Sequence, residues 1–139
     1  MKEGHSPGIV TSKRRIKYRK SSWQVHDFEV WSGEFLCRIA VLKMEDSVLV
    51  WIGSAPADLG EVALGVPPRA GRQAASSSLV GADAGAAPLA RQLAAALDQP
   101  VYVCCGSHFD RFSMPLVIQG LITEIKSRPE CFNMDQIHS

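Results

Sequence analysis

No stretch of this sequence stays apolar for the ~18 residues that a membrane-spanning helix needs, so no span is expected. No apolar core segment follows Lys2, Glu3 and Pro7, and no secretory leader is expected either. Cysteine is sparse: Cys37, Cys104, Cys105 and Cys131 make four, with no CxxC pair and no framework spacing. That argues for a reduced, intracellular protein, read as cytosolic with the nucleus as a second compartment. The motifs of catalysis and nucleotide binding are missing too: there is no GxGxxG, no GxxxxGK[ST], no HExxH and no GxSxG.

What remains for chemistry is thin. Cys104, His108 and Asp110 are a nucleophile, a base and an acid in near sequence. Cys104, however, sits inside a strand-like run and reads as a core residue, with nothing to form an oxyanion hole. A zinc site needs four ligands at coordinating spacing, which Cys104, Cys105 and His108 do not supply. His26 alternates within a strand and reads as a half-buried or rim histidine. Ser76, Ser77 and Ser78 lack the glycine-rich loop that would cradle a phosphate. The expectation is a protein with no catalytic residue, no cofactor and no metal.

Charge is present but unevenly placed. Residues 1–20 hold seven Lys/Arg against one acid, while residues 21–139 hold eight against thirteen, so a net +1 hides a basic arm on a mildly acidic body. Six positive charges between Lys13 and Lys20 repel one another and favour an extended, solvated segment. Any nucleic-acid contact would rest on this arm alone, and none is expected. The chain is long enough for one packed core and not two. The expected organisation is a flexible basic arm over 1–22, a single domain over 23–132, and a loose tail over 133–139.

Hydrophobic periodicity predicts strands over 25–31, 35–42 and 48–52, joined by turns at Ser32-Gly33-Glu34 and Glu45-Asp46. A fourth strand over 59–66 is weakened by Gly60 and Gly65, and a short one follows over 76–80. Leu89, Leu93 and Leu97 place an apolar stripe on a helix over 86–98, with Asp83 as its cap and Pro100 as its stop. A last strand covers 101–105. Pro115 opens a second helix, striped by Val117, Leu121 and Ile125, that ends before Pro129. The predicted fold is α+β: one mostly antiparallel sheet of five or six strands with two helices packed on one face.

The strands also carry the functional clue. Val48, Val50 and Ile52 point one way, and Leu49 and Trp51 the other. Phe35, Cys37, Ile39 and Val41 alternate with Leu36, Arg38, Ala40 and Leu42. A solvated antiparallel face should be polar, and neither of these is. Six strands at ~4.8 Å span roughly 29 Å, whereas two helices of ~10 Å cover one face only. The other face, roughly 450 Å², is left for a partner's sheet. Covering it could contribute up to about 10 kcal/mol gross. The expected partner contacts are Leu36, Arg38, Leu42, Leu49 and Trp51, giving sheet-on-sheet dimerisation.

Several segments resemble one family in order and spacing: Val25-His26-Asp27-Phe28, Asp46-Ser47-Val48-Leu49-Val50-Trp51-Ile52-Gly53, and Ser77-Ser78-Leu79-Val80-Gly81. Leu89-Ala90-Arg91-Gln92-Leu93-Ala94, Gln99-Pro100-Val101-Tyr102-Val103 and Arg128-Pro129-Glu130-Cys131-Phe132 continue the likeness. Together they resemble the proteasome assembly chaperone 4 family. The basic arm before Trp23 and the Gly-, Pro- and Ala-rich segment 59–75 depart from its pattern. The resemblance implies a heterodimer with a proteasome assembly chaperone 3-like subunit, self-pairing of the chain in isolation being the alternative. The pair would hold proteasome α-subunits, the α5-type first, during assembly of the 20S α-ring. An intracellular adaptor of roadblock or longin type is the competing reading of the same layout.

Overall fold

The computed structural model describes residues 15–21, 23–54, 57–81, 85–106 and 111–134. Asp83, His108 and Asp110, the arm before residue 15 and the tail after residue 134 lie outside them. Six strands form one sheet: β1 (Gln24–Ser32), β2 (Phe35–Met44), β3 (Ser47–Gly53), β4 (Glu61–Val66), β5 (Ala75–Val80) and β6 (Val101–Cys105). Helix α1 (Ala86–Leu97) lies between β5 and β6, and α2 (Met114–Ser127) follows β6. A short 3₁₀ turn, Pro129–Phe132, succeeds α2. Residues 15–21 have no regular secondary structure and are exposed.

The first three strands form a meander because their turns accept left-handed backbone. Gly33 and Asp46 take φ of 61° and 60°, a region glycine enters freely and aspartate tolerates. The strand order is β1-β2-β3-β6-β4-β5. Every pairing is antiparallel except β3 with β6, which is parallel. Strand β6 therefore slots between β3 and β4, and α1 supplies the crossover that a parallel neighbour requires. Both β3 and β6 are apolar on the two faces, as interior strands of a sheet are.

Both helices lie on one face. Gly65 of β4 is directly under the α1 backbone at Ala90, and Gly120 of α2 meets Val30 of β1. Register puts Phe28, Ile39, Ile52, Cys105 and Glu61 in one line across β1, β2, β3, β6 and β4, and Val30, two residues after Phe28, shares their face. Gly65 follows Glu61 at even spacing, so it shares this face. The core lies between this face and the helices: Ile39, Val41, Val48, Val50, Ile52, Val101 and Val103 from the sheet, Leu89 and Leu93 from α1, and Val117 and Leu121 from α2. Phe132, from the 3₁₀ turn, is fully buried among them. Pro115 opens α2 where its missing N–H is harmless.

The mixed, six-stranded sheet with two helices on one side is the α+β fold expected from the sequence. Two strand starts differ from expectation: β4 begins at Glu61 and not at 59, past Gly60, and β5 begins at Ala75 and not at 76.

Candidate partner-binding face

The side of the sheet away from the helices is built in rows. Val25, Leu42, Leu49, Tyr102, Leu64 and Ser77 stand side by side across β1, β2, β3, β6, β4 and β5. The next row is Asp27, Ala40, Trp51, Cys104, Val62 and Val80. Glu29, Arg38 and Gly53 make a third, shorter row, and Trp31 pairs with Leu36 at the end. Two almost continuous apolar rows thus cross the whole sheet, rimmed by Asp27, Glu29 and Arg38 at the β1–β2 side.

Exposure grades along these rows. Val25, Trp31 and Val80 are more than half exposed at 63%, 67% and 54%, and Leu36 reaches 41%. Leu42, Leu49, Trp51, Tyr102, Val62 and Leu64 are half-buried, packed edge to edge by their neighbours but uncovered above. Cys104 is buried between Trp51 and Val62. Trp51 is held in place: its Nε1 donates to the Asp58 carbonyl oxygen at 3.0 Å, and its ring lies over Gly53. The loop around Asp58 therefore reaches the rim of this face. The 67–74 segment goes elsewhere, closing on itself through Arg69 and Arg72 and tying Arg69 to Asp98 at the end of α1 with an Nη1–Oδ1 contact of 2.8 Å.

All five residues expected to touch a partner, Leu36, Arg38, Leu42, Leu49 and Trp51, point to this helix-free side. Leu42 and Leu49 are direct neighbours, Trp51 stands in the next row, and Arg38 and Leu36 are exposed towards the β1–β2 turn. Sequence reasoning passed over Tyr102, Leu64, Val62 and Val25. Period-two alternation within 101–105 and 59–66 was the available signal for the first three. Strand order was needed to put them in one surface.

The thiols are poor candidates for chemistry. Adjacent Cys104 and Cys105 point to opposite faces, the latter into the core. Burial pushes the Cys105 thiol up to about 12, with the Glu61 carboxylate adding to the effect. Burial likewise raises Cys37 to about 11, partly offset by the backbone hydrogen bond to Gly53, and raises Cys104. A thiol held neutral is a weak nucleophile, because the thiolate is the reactive form. Among the described residues no cluster of His, Cys, Asp and Glu is arranged to hold a metal ion. No helix among them is long and apolar enough to cross a membrane. His26 lies at the α2 side of β1, where its Nε2 meets Glu124 Oε2 at 2.6 Å and ties that strand to the helix.

In shape, the chain is similar to one in the crystal structure of a novel chaperone complex for yeast 20S proteasome assembly. The TM-score is 0.51 at 10% identity, over 78% of this chain and 93% of that one, which shows a common fold. No curated protein matches the sequence. The sequence model of one family, proteasome assembly chaperone 4, matches residues 37–106, from the third residue of β2 to just past β6. That match spans half of the chain and includes most of the helix-free face, and by it this protein belongs to the proteasome assembly chaperone 4 family.

Proposed function

We propose that this protein is a non-catalytic assembly factor that pairs through its helix-free sheet face with a proteasome assembly chaperone 3-like subunit. The pair holds proteasome α-subunits, the α5-type first, while the α-ring of the 20S core is built. It works in the cytosol, with the nucleus as a second compartment, and needs no cofactor. The observation that carries the reading is the pair of apolar rows through Leu42, Leu49, Tyr102 and Leu64 and through Trp51, Cys104 and Val62. An apolar sheet face of this extent is stable in water when a second sheet packs on it, about 10 Å away. Family membership and the fold shared with a chain of a yeast proteasome assembly complex support the same reading.

The testing experiment is purification of the tagged, full-length chain from cells followed by mass spectrometry of what it holds. The expected result is one stoichiometric small subunit together with free proteasome α-subunits, and no assembled 20S core. Trafficking proteins without α-subunits would overturn the reading in favour of an adaptor. A chain that remains monomeric and well behaved at high concentration, with no stoichiometric partner in cells, would remove the role of the face.

A further inference from the structure

Among the described residues, strand β1 is an edge of the sheet. Beside it runs a groove of about 360 Å³ between the strand and α2, lined by Phe28, Val30, Leu116, Gly120 and Thr123. A free edge is a row of unpaired N–H and C=O groups that proteins ordinarily cover or blunt. Directly before this edge the chain reads Arg15-Ile16-Lys17-Tyr18-Arg19, basic and apolar in strict alternation, then Lys20. That alternation is the pattern of a strand with one charged and one apolar side. In the structure the segment stands clear of the sheet, with Ile16 81% and Tyr18 88% exposed.

We infer that residues 15–20 dock back onto the free edge of β1 as a seventh, antiparallel strand, with Lys17 opposite Asp27 and Arg15 opposite Glu29. The register follows from a three-residue connection over 21–23, which sets Lys20 opposite Gln24, the first residue of β1. The Trp23 N–H already donates to Ser21 Oγ at 3.1 Å in this connection.

The consequences of that register are consistent on both sides of the strand. On the helix side, Tyr18 comes beside His26 and Ile16 beside Phe28, the two rings that already contact each other with centroids 5.4 Å apart. Ile16 then enters the groove against α2, with Tyr18 over His26 beyond its end. On the other side, Lys17 and Arg15 meet the exposed carboxylates of Asp27 and Glu29, which cancels the repulsion that keeps the basic run extended. A slip by one residue reverses every side chain, setting Ile16 against Asp27 and Arg15 against Phe28. Charge and hydrophobicity together exclude every odd slip, and the three-residue connection selects this register among the even ones. Docked in this way the arm closes the edge while the apolar rows stay open for a partner.

The test is amide hydrogen exchange on the full-length chain, read over residues 26–30. The Lys17→Glu, Arg15→Glu variant is expected to exchange roughly fivefold faster there than the parent, since two cross-strand ion pairs are reversed. Adding Asp27→Lys, at a position that faces Ala40 on β2, swaps the Lys17 pair across the strand and should restore part of the protection. Equal exchange in parent and charge-reversed chains would overturn the inference. So would a charge swap that restores nothing. Protection that grows with protein concentration would assign the edge to a second copy, and protection that appears only with the partner subunit would assign it to that subunit; either result overturns docking of the chain's own arm.

Discussion

Gly65 of β4 lies directly beneath the backbone of Ala90 in α1, and a Cβ on residue 65 would run into the Ala90 carbonyl group and the Arg91 nitrogen. Helix and sheet touch here main chain to main chain. The obstruction is backbone, which cannot swing aside as a flexible side chain can. Gly65→Ala is therefore expected to destabilise the fold by at least about 2 kcal/mol, at the upper end of overpacking effects. Gly71→Ala is the control: its φ of +84° is strained for alanine but nothing lies within 4 Å, so about 1 kcal/mol is expected. Urea unfolding midpoints compare the two. Equal effects would show that α1 does not rest on β4 at this point.

The contact between Gly53 and Trp51 differs in kind. A Cβ on residue 53 would come within 2.6 Å of the indole Cζ2, but the obstruction is a side chain at an open surface. Gly53→Ala should displace the ring from its hydrogen bond to Asp58 and cost less than about 1.5 kcal/mol. Trp23 and Trp31 are 62% and 67% exposed, so the bluer part of the tryptophan emission comes from Trp51. A red shift of the emission maximum is the expected signal, and an unchanged spectrum would mean the ring keeps its place.

Arg38→Glu separates pairing from folding. The side chain is exposed on β2, opposite Glu29 on one neighbour and Gly53 on the other. Placing a carboxylate opposite Glu29 should cost less than about 1 kcal/mol of stability. Affinity for the partner subunit is expected to fall at least about tenfold, equivalent to 1.4 kcal/mol. Titration calorimetry beside thermal unfolding reads both. Unaltered pairing would move the interface off this side of the sheet.

Much of this arrangement was readable from residue types, because its elements are strongly periodic. Leu89, Leu93 and Leu97 mark the buried side of α1, and the alternation in 35–42 and 48–52 separates the two faces of β2 and β3. Strand order was not readable. Nothing local in Val101-Tyr102-Val103 says that β6 inserts beside β3, since that neighbour is chosen by the crossover through α1 and not by the strand itself. The burial of Phe132 was equally hidden. It follows Pro129, which ends α2, and a single aromatic in a short turn has no period to reveal which way it faces.

Alkaline pH should weaken the fold through the buried thiols. The folded values of about 11 for Cys37 and about 12 for Cys105 lie above the ordinary 9.0, so above pH 9 the unfolded chain loses these protons first. The folded state then binds more protons than the unfolded one, and stability falls as pH rises. Their contribution is fully present below about pH 9 and is lost as pH rises through 11 and 12. Denaturant unfolding at pH 8 and pH 10.5 checks this, with Cys105→Ala expected to flatten the pH dependence. A parent and variant with the same slope would show that the thiols do not set it.

Asn133 is the clasp that ties the turn after α2 to the sheet. Its φ is 60°, and its Nδ2 donates to the carbonyl oxygens of Met44 at 2.8 Å and Ser47 at 2.9 Å and to Gln99 Oε1 at 3.1 Å. Buried Gln99 in turn donates to the Phe132 carbonyl oxygen at 2.8 Å, so one amide joins the β2–β3 turn to the turn that carries Phe132 into the core. Three substitutions resolve its contributions. Asn133→Gly keeps the left-handed backbone and loses the donor, an expected loss of about 1 kcal/mol. Asn133→Ala loses the donor and adds backbone strain, for about 2 kcal/mol. Asn133→Asp removes both N–H groups and presents a carboxylate to three acceptor oxygens, which makes it the most damaging although its shape is nearly the same. Thermal unfolding at neutral pH should rank them glycine, alanine, aspartate in rising damage. Aspartate tolerated as well as glycine would mean that the side chain is not donating there, and that Phe132 is held in the core by packing alone.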